Sequence, residues 1–374
     1  MLESAFQHPR PPTSAPGTAG RTVHPRWRRP RPTRDPAAEV DHFRSEVSVS
    51  STETTTSQRV RRLTRTPLLA AATAAVLVTT SMVAMPTASA ASFNMQGWAT
   101  QCGGTTGGGN ASPVTVTSGS QLVSEMQASG ARVIRVSGSL SISGMQKVAA
   151  NKTIIGVGSN AAITGGGLNV ASVSNVIIRN INFRNWSDDA INVQYSTRVW
   201  IDHNSFSNGS DGAVDIKRAS DCATVSWNRV FDHDKSFLLG HSDDNASEDS
   251  GKLRVTYHHN WFDGSEQRHP RVRFGNPVHV FNNYYNNVGG YGVASTEGAG
   301  VLVEGNYFEN TDDPYHLGEA SSGPGTLVAR NNHFVNSGSG QAGGSVRSLP
   351  YSVSVDPAAN VKSIVTGGAG TGRI

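Results

Sequence analysis

The chain has 374 residues, enough for one large domain or two of ordinary size, and a formal net charge of +4. Residues 1–90 hold 12 of the 32 basic and 6 of the 28 acidic residues, which leaves 20 basic and 22 acidic residues, a net charge of −2, beyond them. A slightly acidic folded part argues against a nucleic-acid-binding protein, because such proteins present a basic surface.

The first 90 residues contain two segments that we assign outside the folded domain. Residues 1–57 are rich in Pro, Arg, Ser and Thr and lack apolar periodicity, so we predict a disordered extension or a start codon assigned too far upstream. Residues 58–90 combine a basic stretch, an apolar stretch from Leu68 to Val83 and the small-residue sequence Ala88-Ser89-Ala90, which is typical of an export signal. The apolar stretch is shorter than the roughly 20 residues of a membrane-spanning helix, so we expect a secreted, extracellular protein that is free of the membrane once processed.

Two features precede the repetitive part of the sequence. Residues 120–129 predict a short amphipathic helix that would cap the N-terminal end of the domain. Cys102 and Cys222 would both survive export, and an exported protein can join them. Because the architecture predicted below places them several turns apart, we expect them to be unpaired.

From about residue 150 the sequence repeats itself. Six segments place an asparagine two residues before an aromatic or apolar residue, at Asn204, Asn228, Asn260, Asn283, Asn306 and Asn332. The spacings are 24, 32, 23, 23 and 26 residues, and the earlier run VIIRNINF (176–183) fits if position 181 takes the place of the asparagine. Periods in the low twenties, built from short strands without intervening helices, indicate a solenoid rather than βαβ units.

We therefore predict an all-β fold over residues 91–374, a right-handed single-stranded parallel β-helix with turns stacked about 4.8 Å apart. Asparagine suits the bends because it tolerates left-handed φ/ψ and because its amide can hydrogen-bond the same amide one turn away. We expect these asparagines to be structural.

In such a fold, equal offsets from the repeated asparagine become neighbours in space. Asp211 and Lys235 lie seven residues after their asparagines, Arg268 lies eight after its own, and Asp188 lies seven after position 181. These residues are predicted to form one exposed column with members about 5 Å apart. Arginine and lysine in such a column suit a polymer that carries regularly spaced carboxylates.

Carboxylates near this column predict a metal site. Asp211 and Asp215 flank Gly212, and Asp202 ends the strand before them. Three carboxylates from adjacent turns suit a cation that takes oxygen ligands, above all Ca²⁺. The alternative is that these acids pair with neighbouring lysines and arginines.

Five dense motifs occur in order: VWIDHNSF (199–206), DGAVDIKRASD (211–221), DHDKSFLLGHSD (232–243), GKLRVTYHHNWF (251–262) and RHPRVRFGNPVHVFNNYY (268–285). In these motifs the sequence resembles the extracellular, calcium-dependent pectate lyases of the parallel β-helix type, over about Phe93 to Val365. The resemblance implies cleavage of α-1,4-linked polygalacturonate by calcium-assisted β-elimination, which leaves 4,5-unsaturated oligogalacturonides.

The resemblance also implies roles for particular residues. Those that match the family's calcium ligands are Asp202, Asp211 and Asp215. Arg268 matches the catalytic base, and Lys235 and Arg273 match residues that hold substrate carboxylates. Because arginine ordinarily keeps its proton, we expect an alkaline pH optimum.

Three further residues near the column are given other assignments. Arg271 matches no family role, and we expect it to form a structural salt bridge. His269 occupies a position where the family often has a small residue, and we expect its ring to point outward. Asp189 is a candidate ligand for a further calcium that arrives with substrate.

Three rival functions differ in the residues that they require. A pectin lyase, which acts on methyl-esterified polymer without calcium, would lack the acid cluster. A β-helical hydrolase of the polygalacturonase kind would use paired carboxylates as acid and base and leave Arg268 unexplained. A non-catalytic polysaccharide-binding β-helix needs no such column. We expect a monomer that binds no nucleic acid.

Overall fold

The computed structural model describes residues 94–374, which form a parallel β-helix of about ten turns. The predicted all-β parallel β-helix is thereby confirmed. The predicted extension (1–57) and export signal (58–90) lie outside the described residues. The longest described helix has nine residues, so no described helix is long enough to cross a membrane.

Each turn of the coil contributes strands to three faces, and the strands are numbered here in chain order across the molecule. Face A is a ten-stranded parallel sheet. Its strands are β1 Pro113–Val116, β2 Arg132–Val136, β4 Lys152–Gly156, β6 Ser174–Arg179, β9 Thr197–Asp202, β12 Asp221–Ser226, β15 Val255–His258, β18 Val278–Phe281, β21 Gly300–Glu304 and β24 Thr326–Arg330.

The other two faces belong to one 15-stranded sheet, because the long strands β3 Ser139–Lys147 and β5 Ala162–Ala171 run along both. Face B continues with β7 Asn182–Arg184, β10 Ser205–Ser207, β13 Arg229–Phe231, β16 Trp261–Asp263, β19 Tyr284–Asn286, β22 Tyr307–Glu309 and β25 His333–Val335. Face C continues with β8 Ile191–Gln194, β11 Val214–Lys217, β14 Phe237–Leu239, β17 Arg271–Arg273, β20 Val293–Thr296 and β23 Tyr315–Leu317.

The core lies inside the coil, where alternate residues of each strand point inward. On face A the parallel register stacks Ile154, Ile178, Ile201 and Val225, and all four are fully buried. Burial of a side chain of this size contributes about 1.5–3 kcal/mol, so a column of like residues stabilises every turn against the next.

The repeated asparagines form a hydrogen-bonded ladder at the bend between faces A and B. The backbone N–H and the Nδ2 of Asn204 both donate to Oδ1 of Asn228, at 2.9 and 3.1 Å. The same pair of bonds recurs at each step as far as Asn332, and the N–H of Ile181 donates to Asn204 at the start. The ladder prediction, including the place of position 181, is confirmed.

The backbone reason given for the asparagines is wrong. The left-handed residue at each bend is the one before the ladder asparagine, for example His203 with φ 53° and Trp227 with φ 54°. The ladder asparagines themselves are absent from the positive-φ residues of the described chain. Asparagine is used there for its amide, which donates and accepts at once inside a mostly buried bend.

The described residues contain three short helices, which lie in the connections between strands or after the last strand. They are α1 Gly119–Gln127, α2 Ala246–Asp249 and α3 Val361–Gly368, with short 3₁₀ turns at Gly97–Thr100, Asp243–Asn245 and Ala358–Asn360. The predicted N-terminal helix is α1, whose N-cap Ser118 accepts a hydrogen bond from the N–H of Gln121. Its apolar residues Leu122 and Met126 are fully buried in the core of the first turns.

Cys102 and Cys222 form a disulfide, contrary to the expectation that they are unpaired. The expectation failed because Cys102 does not belong to the coil. Its segment runs along the outside of face A, where the N–H of Ala99 donates to Thr224 and the N–H of Trp98 donates to Thr256. The segment thereby brings Cys102 beside β12, 120 residues away in sequence.

The 32-residue spacing between Asn228 and Asn260 reflects a segment inserted into one turn. The coil is interrupted after Gly240 and continues at Leu253, whose N–H donates to the carbonyl of Ser220. Residues 241–252 lie between these points and contain a 3₁₀ turn and α2. This segment, called the 241–252 loop below, flanks face C.

Candidate active site

The predicted column of charge is present at the bend between faces B and C. Lys235 Nζ lies 3.1 Å from Asp211 Oδ1, and Arg268 Nη1 lies 3.8 Å from the same oxygen. Successive turns place these residues side by side through backbone bonds, among them the bond from the N–H of Asp211 to the carbonyl of Asp188. Lys235 and Arg268, which lie 24 and 57 residues after Asp211 in the sequence, therefore meet at its carboxylate.

Arg268 occupies an unusual backbone conformation for a side chain of its size. Its φ is 65°, in the left-handed region, which costs on the order of 1–3 kcal/mol for a residue other than glycine. The carbonyl of Arg268 accepts the N–H of Phe237, which fixes the residue against the preceding turn. The Nε of Arg268 is buried and has no hydrogen-bond partner in the described chain.

A cluster of carboxylates lies next to this column. Oxygen atoms of Asp188, Asp189 and Asp211 lie within 4.8 Å of one another. Asp215, on β11, is 3 % exposed, and its Oδ1 has no hydrogen-bond partner among the described residues. Burial raises the pKa of Asp215 to about 7, and the negative charge of Asp189 adds to the rise.

These carboxylates fit a cation that takes oxygen ligands. A buried carboxylate oxygen without a partner is costly unless an ion or a proton compensates for it. Gly212 keeps the space beside that oxygen open, because a Cβ there would lie 2.0 Å from Oδ1 of Asp215. Lys217 compensates for part of the charge, at 2.9 Å from Asp189 and 3.3 Å from Asp215.

The prediction that Asp202 is a third metal ligand is wrong. Asp202 ends β9 on face A and is fully buried, whereas Asp215 lies on face C. Its Oδ2 lies 2.7 Å from Arg179 Nε and 2.6 Å from His203 Nδ1. Its Oδ1 accepts the hydroxyl of Ser226. With both oxygens engaged, this carboxylate is structural.

Asp188 and Asp189 belong to the carboxylate cluster, although neither was predicted among the three ligands of the first calcium. Both lie one turn before Asp211, and Asp188 has the same seven-residue offset as the rest of the column. The signal was therefore in the sequence. Asp202 has a different offset, two residues before its asparagine, which places it on the other side of the bend.

Arg273, at the end of β17, is almost enclosed. Its Nε lies 2.6 Å from Asp243 Oδ1, and its Nη1 donates to the carbonyl of Gly240. Gly240 has φ 92°, and a Cβ there would come within 2.6 Å of the Arg273 side chain, so glycine permits this approach.

Two expectations for the neighbours of Arg268 are wrong. Arg271 forms no salt bridge within residues 94–374; its Nη2 donates instead to the carbonyl of Glu319 and the hydroxyl of Ser322. His269 does not point outward; it is fully buried, and its Nε2 lies 2.8 Å from the hydroxyl of Ser265. Burial lowers the pKa of His269 to about 3, so its ring is neutral.

Comparison with known proteins gives one consistent answer. The sequence profile of the family described as pectate lyase matches residues 65–374. A pectate trisaccharide-lyase of Bacillus licheniformis is 37 % identical over 306 residues, which cover 76 % of this chain and 88 % of that protein. Pectate lyase E of Dickeya chrysanthemi is 40 % identical over 276 residues, which cover 61 % and 71 % of the two chains.

Solved structures agree with the sequence comparison. The crystal structure of a pectate lyase from Bacillus sp. N165 in complex with trigalacturonate matches with a TM-score of 0.68 and 31 % identity, covering 75 % of this chain and 99 % of that one. A pectate lyase from Xanthomonas campestris matches with a TM-score of 0.63 and 27 % identity, covering 75 % and 99 %. The chain therefore belongs to the pectate lyase family, polysaccharide lyases built on a parallel β-helix.

Proposed function

We propose that this pectate lyase cleaves unesterified polygalacturonate by calcium-assisted β-elimination, outside the cell. One observation carries the proposal: Lys235 and Arg268 converge on Asp211 beside a cluster of carboxylates. Cations that bind uronate carboxylates and acids that bind a metal thus occupy one site, as the reaction requires.

Each group has a place in the proposed chemistry. Asp188, Asp189, Asp211 and Asp215 would hold calcium, in place of the set that included Asp202. When bound, calcium neutralises a uronate carboxylate and makes the proton on the adjacent carbon, C5, more acidic. Lys235 and Arg273 hold substrate carboxylates by charge-assisted hydrogen bonds.

Arg268 takes the C5 proton in this proposal. The electron pair of the broken C–H bond forms the C4–C5 double bond, and the bond from C4 to the glycosidic oxygen breaks. That oxygen keeps the electron pair of the broken bond, leaves on the preceding sugar and becomes its hydroxyl by taking a proton from water. The new non-reducing end is then unsaturated. An arginine base must lose its own proton first, so activity is expected to increase toward alkaline pH.

A hydrolase is the rival that one specific observation favours. The raised pKa of Asp215, about 7, is the property expected of a general acid in an inverting glycosidase. However, Oδ2 of Asp215 is paired with Lys217, and a hydrolytic mechanism gives the Arg268–Lys235 column no role.

One assay separates these functions. The protein is incubated with polygalacturonate, and the ultraviolet absorbance of unsaturated product is followed with calcium and then with a chelator. Calcium-dependent absorbance is expected. New reducing ends without absorbance would indicate a hydrolase, and neither signal would indicate a non-catalytic binding protein. Activity only on methyl-esterified polymer, unaffected by the chelator, would indicate a pectin lyase.

The export part of the proposal rests on residues 58–90. N-terminal sequencing of the mature protein from culture medium is expected to find a start directly after Ala90. Size-exclusion chromatography of that protein is expected to give a monomer. A protein retained in the cell with residues 58–90 intact would contradict the extracellular assignment.

A further inference from the structure

The 241–252 loop reaches face C through one acidic residue, Asp243. This carboxylate accepts a hydrogen bond from Arg273 Nε at 2.6 Å and two contacts from the Ser322 hydroxyl, at 2.8 and 2.9 Å. Ser322 in turn accepts a hydrogen bond from Arg271 at 2.6 Å. Residues from three distant parts of the chain therefore meet around the guanidinium group of Arg273.

The contacts of Arg273 leave one side of its guanidinium group available. Nε is bound by Asp243, and Nη1 donates to the carbonyl of Gly240. Among the described residues, none accepts a hydrogen bond from Nη2. A planar guanidinium group fixed through Nε presents its remaining N–H groups in a defined direction, which a carboxylate can match with two hydrogen bonds.

The loop itself is anchored at its other end. Asp249 Oδ1 accepts the N–H of Ala219 at 2.6 Å, directly after the strand that carries Asp215 and Lys217. Ser322, at 5 % exposure, donates to both carboxylate oxygens of Asp243. Asp243 is therefore held by two supports and is able to impose an orientation on Arg273.

We propose that Asp243 is a positioning residue, which orients Arg273 to bind a uronate carboxylate of the substrate. The proposal rests on the proposed function, because Arg273 must contact substrate for its orientation to matter. It assigns the 241–252 loop a role in substrate affinity, and it leaves the proton transfer at Arg268 unaffected.

The test compares two neighbouring residues of the same loop. Asp243→Asn removes the charge that holds Arg273, whereas Asp244→Asn removes the same charge from an exposed residue without an ion pair among residues 94–374. Any general effect of loop charge on an anionic polymer is common to both. At saturating calcium we expect Asp243→Asn to raise KM for polygalacturonate about 5- to 10-fold with kcat within about twofold of wild type, and Asp244→Asn to leave both within about twofold.

A double-mutant cycle tests whether Asp243 acts through Arg273. Arg273→Ala is expected to raise KM, and adding Asp243→Asn to it should raise KM no further. If Asp243→Asn does not fold, Ser322→Ala replaces it in the comparison and should raise KM in the same direction but less. Thermal unfolding of each variant checks the fold.

Different failures have different meanings. Absence of unsaturated product from the wild type would overturn the proposed function itself. An unchanged KM in Arg273→Ala would remove Arg273 from substrate binding and this inference with it. A raised KM in Arg273→Ala together with equal behaviour of the two aspartate variants would overturn this inference alone. A lowered KM in Asp243→Asn would also overturn it, since Asp243 would then compete with substrate for Arg273.

Discussion

At the scale of single residues, Arg268 is the side chain whose loss the proposed chemistry tolerates least. Arg268→Lys keeps a positive charge but shortens the side chain and loses the guanidinium nitrogens. We expect kcat to fall by at least about 100-fold, the usual contribution of a general base. Formation of unsaturated product measures this loss.

The control for Arg268→Lys is calcium binding. Asp188, Asp189, Asp211 and Asp215 are intact in that variant, so isothermal titration should give an affinity close to that of the wild type. Asp215→Asn, by contrast, removes one buried carboxylate, and we expect its first effect to be a lower affinity for calcium. A rate of elimination equal to that of the wild type in Arg268→Lys would exclude Arg268 as the base.

His269 gives a pH dependence of stability that is independent of the chemistry. Burial lowers its pKa to about 3, below the 6.5 of an exposed histidine, so between these values the unfolded chain binds a proton that the native protein does not. The stability contributed by neutral His269 is therefore complete above pH 6.5 and decreases as the pH falls toward 3. Burial also lowers the pKa values of His258 and His279, which add to this effect.

We expect the contribution of the buried histidines to the free energy of unfolding to decrease between about pH 7 and pH 4, whereas the raised pKa of Asp215 acts in the opposite direction. His269→Gln should reduce the slope of the free energy of unfolding against pH by about 1 kcal/mol per pH unit, because one titrating group contributes at most about 1.4 kcal/mol per pH unit. The matched variant is His333→Gln, at a partly exposed ring on the last turn. Denaturant unfolding at several pH values measures both, and equal slopes in the two variants would contradict the assignment.

At the scale of elements, the asparagine ladder connects one turn to the next. Asn260 accepts two hydrogen bonds from Asn228 and donates to Asn283 and to the carbonyl of Val225. Asn260→Ala leaves several of these buried partners unsatisfied, each at about 1–3 kcal/mol. We expect a loss of about 3 kcal/mol or more in the free energy of unfolding.

Asn332, at the open end of the ladder, serves as the comparison. It accepts from Asn306 and donates to Val303, but it is only half-buried, so water can replace part of what is lost. Asn332→Ala should therefore cost less than Asn260→Ala in chemical denaturation. Equal costs would mean that the ladder does not act through buried hydrogen bonds.

The repeat also explains which parts of the site could be predicted from the sequence. A constant offset from the ladder locates a column, so Asp211, Lys235 and Arg268 could be brought together without coordinates. Asp202 precedes its asparagine and therefore lies before the bend, at the end of β9, so the constant offset gave no ground for grouping it with Asp211 and Asp215. The contacts of Arg271 and Arg273 involve segments without a repeat, such as the 241–252 loop, and no periodicity predicts where these lie.

At the scale of the whole molecule, the disulfide attaches the N-terminal segment to the coil. Cys102 and Cys222 close a loop of about 120 residues, for which the chain-entropy relation gives about 5 kcal/mol of stabilisation. The pairing was not predictable from the repeat, because the segment with Cys102 crosses several turns on the outside of face A.

Cys102→Ser/Cys222→Ser is expected to lower the free energy of unfolding by up to about 5 kcal/mol and to speed hydrogen exchange first in residues 94–111. The site at the bend between faces B and C should keep its activity at low temperature. The same melting temperature with and without reductant, in protein whose thiols are shown to be free, would contradict this expectation.

The separation between coil and loop has a practical consequence. Because residues 241–252 leave the coil at Gly240 and return at Leu253 without shifting the ladder, length can change there while every rung keeps its partner. The coil should therefore tolerate replacement of this segment by another. A different segment would change which pectic chains bind. The reacting groups would keep their positions, because the stacked turns hold them.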